Sequence, residues 1–254
     1  MSDELKCETL GAVRVMTINR PEARNALNRA VREGLRQALT DFEADPSVRV
    51  AILTGAGDKA FCAGMDLKEA ADTMLGVPPR DYVPVIGDSV DVTKPVIAAV
   101  NGVAYAGGWL LAQMCDLCIA SDNASFGITE AKVGRGMPWA APLGHIIPQR
   151  VMMELLLTGD PIDAHRAREI GFVNHVVAPD QLMPRALAMA ERIAANAPLT
   201  VRAARELVYL STEMGRSAAL RAGYHLFVPV YQSEDAQEGP RSFKEKRAPD
   251  WKGR

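Results

Sequence analysis

The sequence predicts an α/β body followed by a helical region, and three observations carry that expectation. A strand–helix–strand order opens the chain, buried β-branched runs recur through its middle, and from Leu182 onward the apolar pattern is almost wholly helical. With 254 residues, 48% of them hydrophobic, the chain can bury a large core as one large domain or two small ones. The change of pattern puts a boundary near residues 196–198, giving an α/β body over 1–196 and a helical region over 197–254.

The elements follow in order. VRVMTINR (13–20) alternates as a half-buried strand does, and AILTGAG (51–57) reads as a buried strand closed by a glycine turn. Between them Asn28 stands at an N-cap position before Val31, Leu35, Ala38, Leu39 and Phe42, which share one helical face; ADPS (44–47) ends that helix. After AFCAG (60–64) a helix is expected from Asp66 to about Met74, then a loop through GVPPRDYVPVIGD (76–88). KPVIAAVNG (94–102) is a strand and turn, followed by NGVAYAGGWLLAQMCD (101–116), a small-residue corner entering a helix. LCIA (117–120) and NHVV (174–177) are short strands; RVMMELLLTG (150–159) and DAHRAREIG (163–171) are helices, the latter ending at Gly171. Helical patterns follow in 181–197, 199–213 and around 217–227, with no low-complexity tract or obvious internal repeat.

Composition narrows the function. A formal net charge of −2, with Lys and Arg scattered until the basic end RSFKEKRAPDWKGR (241–254), argues against a nucleic-acid partner and suits a phosphate-bearing small molecule. No apolar run reaches the roughly 18–20 residues of a membrane span. The acidic start MSDELKCETL has no apolar stretch, so a soluble cytoplasmic protein without membrane partners is expected. Cys115 and Cys118 form a CDLC pair within an expected strand, MCDLCIA (114–120). On a strand that spacing points the two thiols to opposite faces, and no second pair completes a zinc set, so buried free thiols and no metal are expected.

Two corners share one design: a strand runs into small residues that open a helix, first at Phe61-Cys62-Ala63-Gly64 and then at Ala104 to Gly108. Backbone N–H groups exposed there can meet a ligand oxygen, and two aimed at one point make an oxyanion hole. Tight packing is the commoner reason for glycine at strand–helix corners, and the spacing of the residues alone favours it here.

The motifs AFCAGMDLKE, KPVIAAVNGVAYAGGWLLAQMCD, ASFGITEAKVG and SEDAQEGPRSFKEKRAPDWKG, with NRPEARNALN near the start, resemble in order those of the enoyl-CoA hydratase/isomerase family, the crotonases. The resemblance spans nearly the whole chain, and the C-terminal stretch is similar to carnitinyl-CoA dehydratase-like members. It implies a spiral of strand–strand–helix units with a C-terminal helical region that assembles a homotrimer or dimer of trimers. It also implies a lyase or isomerase acting on an acyl-CoA, with coenzyme A arriving as part of the substrate and no separate cofactor. By position, the resemblance makes the amides of Ala63 and Gly107 the oxyanion donors and Glu130 the acid/base. It gives coenzyme A to Arg24, Asn25, Ala26, Ala63, Gly64, Met65, Asp66 and Gly107, with Phe243 and Lys246 reaching it from the C-terminal helix, often across a subunit boundary.

The sequence also departs from that pattern. Hydratases of the family use two glutamates; the second matches Glu130, and the first falls on Leu110, which neither accepts a proton nor holds water. The Pro-x-x-Gly-Gly loop is replaced by GRGMPWAAPLGH (134–145), which adds Trp139. A single carboxylate near an apolar wall suits a base that takes and returns one proton, as in a double-bond isomerase. Tyr105, Trp109, Leu110 and Trp139 are expected to shape the acyl pocket and Asp116 to be structural; His145 follows the altered loop and is a lesser candidate for the pocket, since a lone histidine is more often structural. Thioester hydrolysis or C–C bond cleavage using His145 or the 76–88 loop, and non-catalytic acyl-CoA binding, stand as alternatives.

Overall fold

The buried runs of the sequence become strands that alternate between two sheets. The computed structural model describes residues 3–254. β1 (Leu5–Leu10) and β2 (Val13–Ile18) form an antiparallel hairpin, Leu5 opposite Ile18. β1 escapes the sequence reading because it is a mostly exposed edge strand of mixed polarity. α1 (Arg29–Ala44) starts where expected: the Asn28 Oδ1 accepts the Val31 N–H at 3.0 Å, and Val31, Leu35, Ala38, Leu39 and Phe42 are all buried. Lys94 closes its far end, with Nζ donating to the carbonyls of Phe42 (2.7 Å) and Asp45 (2.6 Å).

From here the chain repeats a unit of two strands and a helical segment. β3 (Val50–Gly55), β4 (Ala60–Cys62) and α2 (Leu67–Asp72) form the first unit; β5 (Val96–Val100), β6 (Val103–Tyr105) and α3 (Gly107–Gln113) form the second. In the third, β7 (Leu117–Ser121) and β8 (Ser125–Gly127) precede 3-10 turns at Glu130–Val133 and Pro138–His145 and then α4 (Gln149–Thr158). β9 (Ile162–Asp163), α5 (Ala164–Glu169) and β10 (His175–Val177) complete the body. Among the described residues a six-stranded sheet runs β1-β2-β3-β5-β7-β10 and a four-stranded one β4-β6-β8-β9. The first strand of each unit joins the larger sheet and the second joins the smaller, in parallel. This architectural repeat leaves no repeated sequence, because each unit meets different neighbours.

β3 and β5 are buried along their whole length, as expected of strands covered on both faces. One face of the larger sheet meets α1 and α3 in the main core. The other is covered by α6 (Leu182–Ala194), whose Ala186, Ala190 and Ala194 recur every four residues and pack with Val15, Ile52, Ile97 and Ile119. α7 (Pro198–Glu213), α8 (Arg216–Gln232) and α9 (Glu234–Glu245) follow.

Two expectations are corrected. The helix after Asp66 spans only Leu67–Asp72, with Asp66 as its N-cap. The expected strand MCDLCIA begins at Leu117; Met114 is instead the C-cap of α3, and the Cys115 Sγ–H just beyond it donates to the Leu111 carbonyl at 3.2 Å. Strand alternation therefore does not apply to this cysteine pair. Both thiols are free and buried, and burial pushes both well above the ordinary thiol range.

Asp116 has the structural role expected. Its carboxylate accepts from the Val96 N–H (2.8 Å), Arg205 Nε (2.7 Å) and the Tyr209 hydroxyl (2.7 Å), joining α7 to the edge of β5. Asp116→Ala strands a mostly buried guanidinium, so urea unfolding is expected to show a loss of about 3 kcal/mol.

Candidate active site

Backbone pairing brings together two stretches nearly forty residues apart in sequence. The Leu27 N–H donates to the Gly64 carbonyl (2.8 Å), the Ala63 N–H to the Arg24 carbonyl (3.0 Å) and the Asp66 N–H to the Leu27 carbonyl (3.4 Å). Arg24 and Asn25 take left-handed backbone at φ 51° and 56°. Asn25 stabilises this turn: fully buried, it accepts from the Arg20 N–H (2.9 Å) and donates to the carbonyls of Ala56 (3.0 Å) and Ala60 (2.7 Å). The Arg24 side chain is left exposed beside Ala26. Asp66 pairs with Arg20 at 3.0 Å and caps α2; burial opposes its ionisation, but Arg20 and the backbone donors outweigh burial and hold its pKa below the usual value.

The second corner sits directly on the first. Gly64 has φ +94°, and a Cβ there would lie 2.9 Å from the Tyr105 carbonyl oxygen and 3.2 Å from the Gly107 nitrogen. A Cβ on Gly108 would collide with the Cys62 carbonyl, and one on Gly107 would lie 3.0 Å from Leu27 Cδ1. Of the glycine pair, Gly108 is thus required by packing, whereas a side chain at Gly107 would be crowded mainly by the end of one leucine. Ala106, just before α3, holds φ 49° and ψ −115°, a region alanine rarely enters.

This geometry corrects one expected donor. The Ala63 amide is already spent on the Arg24 carbonyl, so it has no free proton for a ligand. Met65 is the residue left open. Its bridge to Leu27 uses the Gly64 carbonyl and the Asp66 amide, which turns the Met65 N–H the other way. Gly107, as the first residue of α3, has no intrahelical acceptor.

Glu130 begins the 3-10 turn after β8 and is 7% exposed. Its Oε1 accepts from the Trp139 indole N–H at 3.1 Å, while Oε2 is buried with no partner. Burial raises its pKa above 4.5, against the smaller opposing pull of its own backbone N–H and of Trp139. Leu110 is 5% exposed and buried. Gln113, unnoticed in the sequence, donates from Nε2 to the Trp139 carbonyl at 3.0 Å. Its one signal was a polar residue inside the apolar run LLAQMC.

Trp139 therefore touches the carboxylate. Trp109 departs from expectation: it is fully buried among Phe126 (5.8 Å between ring centroids) and Phe172 (4.8 Å), so its ring belongs to the aromatic core. The Tyr105 hydroxyl is engaged with Ser125 Oγ at 3.0 Å. His145 is exposed at the end of its 3-10 turn. Phe243 is exposed on α9 and Lys246 at its C-cap; α9 packs on α8 while its Asp235 binds the amides of Lys252 and Gly253. Among the described residues no three His, Cys, Asp or Glu side chains gather as a metal ligand set, and no helix is long and apolar enough to cross a membrane.

The family model for enoyl-CoA hydratase/isomerase matches residues 8–254. The chain belongs to the enoyl-CoA hydratase/isomerase family. This hydratase/isomerase relative is 39% identical to the (E)-benzylidenesuccinyl-CoA hydratase of Thauera aromatica over 251 residues, 97% of this chain and 98% of that one. It is likewise 39% identical to the carnitinyl-CoA dehydratase of Proteus mirabilis over 264 residues, covering 100% of both chains. Its crotonase fold superposes on a crystal structure of enoyl-CoA hydratase from Mycobacterium tuberculosis H37Rv with a TM-score of 0.91 at 39% identity, covering 100% of both chains. An enoyl-CoA hydratase from Mycobacterium marinum gives 0.92 at 38% identity with the same coverage. The protein is thus an acyl-CoA-processing enzyme of the hydratase/isomerase type.

Two stability measurements probe this site in the family member. Ala106→Gly releases backbone strain of about 1–3 kcal/mol against a glycine entropy cost of about 0.5–1 kcal/mol, so urea unfolding should show a gain of about 1 kcal/mol. The raised Glu130 pKa means that ionisation opposes folding: the cost is full above the raised value and gone below the unfolded value of 4.5. Glu130→Gln is therefore expected to raise the melting temperature at neutral and alkaline pH, with the difference closing as pH falls toward 4.5.

Proposed function

We propose that this enzyme binds a 2-enoyl-CoA or its 3-hydroxy or 3-enoyl counterpart with the thioester oxygen between the amides of Met65 and Gly107, and moves a proton with Glu130. The observation that carries the reading is the unpartnered buried Oε2 of Glu130: the opposite oxygen is anchored, and this one is free to exchange a proton. Removing a proton next to a thioester, or adding an oxygen nucleophile to the conjugated double bond, sends an electron pair onto the carbonyl oxygen. Two amide donors stabilise that enolate, each worth roughly 3–4 kcal/mol in other enzymes. The raised pKa of Glu130 brings it nearer the working pH of an acid/base that gives back the proton it takes.

The exposed Arg24 beside the left-handed turn suits the phosphates of coenzyme A, and the backbone from Gly64 to Asp66 suits the pantetheine arm. The exposed Phe243 and Lys246 suit contact with coenzyme A held by a neighbouring subunit of a trimer. Nothing in the position of the exposed His145 favours thioester hydrolysis or C–C cleavage.

A panel of short, medium, long and aryl enoyl-CoA thioesters, followed by mass and absorbance, tests the reading. Glu130→Gln is expected to lower kcat by about 10²–10⁴-fold with KM little changed. Undiminished turnover by that variant would remove Glu130 from the mechanism.

A further inference from the structure

Trp139, which holds Glu130, also holds a second side chain with a buried oxygen that has no partner. Gln113 lies one turn beyond Leu110 on α3, where residues three apart share a face. Its amide orientation is set by chemistry, because only the NH₂ end can donate to the Trp139 carbonyl at 3.0 Å. Oε1 is then the end left over, buried and unpaired. Trp139 thus holds both groups, Gln113 through its carbonyl and Glu130 through its indole N–H, and each presents one bare acceptor. Buried acceptors left empty are costly. A thioester and an alkene carry no donor with which to fill them, whereas a water molecule or a 3-hydroxyl group does.

We propose that Gln113 Oε1 and Glu130 Oε2 together hold the water that is added to, or lost from, the acyl chain, with Trp139 as the positioning residue that joins them. The inference rests on the acyl-CoA reading above. In hydration, one water O–H points to Gln113 and the other to Glu130. Glu130 Oε2 takes its proton while the water oxygen bonds to C3, and the C2=C3 electron pair moves into the thioester enolate. When the enolate collapses, C2 takes the proton back from Glu130, so all the atoms of water end on the product. Gln113 accepts a hydrogen bond but no proton. It therefore supplies only the orienting share of the carboxylate that Leu110 replaces, and double-bond isomerisation, which needs no water, does not depend on it.

The experiment compares wild type, Gln113→Met, Gln113→Glu, Trp139→Phe and Glu130→Gln for hydration of 2-enoyl-CoA and interconversion of 2-enoyl- and 3-enoyl-CoA across the same panel. Gln113→Met is expected to lower kcat for hydration roughly tenfold or more, while KM and isomerisation stay within about twofold. Gln113→Glu, which keeps an oxygen there, should retain hydration, and Trp139→Phe should lower both reactions because it releases Glu130. Three results would overturn the proposal: unchanged hydration in Gln113→Met, equal loss of both reactions in that variant, or wild type that isomerises and hydrates nothing on the panel. Glu130→Gln separates the two levels: if it keeps both activities the underlying acid/base reading fails, and if it loses both, the Gln113 comparison judges the water site alone.

Discussion

Everything at this site depends on how closely two strand–helix corners approach each other. Gly64 lies against the backbone of Tyr105 and Gly107, and Gly108 lies against the Cys62 carbonyl, at separations that admit no side chain. The parallel pairing of β4 with β6 brings the corners side by side, and the buried Asn25 holds the neighbouring turn onto the β3–β4 connection. A backbone amide stays open only where no carbonyl lies opposite it. The bridge between Leu27 and Met65 achieves this for one, and the start of α3 for the other. Ala106 bears the strain of that arrangement where a glycine would meet none.

The carboxylate belongs to a second constraint. Glu130 follows β8 at the point where the chain leaves the smaller sheet, so its side chain enters a packed region rather than water. No charged side chain contributes to its pKa shift: Lys132 pairs with Asp160 at 2.6 Å, and Arg135 turns to the Leu75 carbonyl at 2.9 Å. Desolvation dominates, and Trp139 tempers it through one oxygen only. Glu238 is the opposite case: its two oxygens are occupied by Arg247 and the Asp250 amide, which together pull its pKa down to about 2.

The strong local signals proved legible. Helical spacing found the buried face of α1 and its Asn28 cap, and continuous apolar runs found β3, β5 and β7, because a helix stripe or a doubly covered strand imprints its neighbours on the sequence. Edge elements did not imprint: β1 is mostly solvent-facing and β9 is very short, so neither carries a burial pattern to read. The cysteine pair misled for a related reason, since MCDLCIA is apolar throughout and does not say where α3 stops and β7 begins.

By itself the sequence determined the family and the α/β class, because residue identity at ordered motifs carries those facts, and it drew attention to Glu130 and Leu110. Only the tertiary structure decided which amide is free, Met65 instead of Ala63, since hydrogen-bond occupancy depends on which distant carbonyl lies opposite. It likewise moved Trp109 from pocket to core, and it joined Gln113 and Glu130 through Trp139. A side chain's neighbours across sheets are set by the path of the whole chain, which no local pattern encodes.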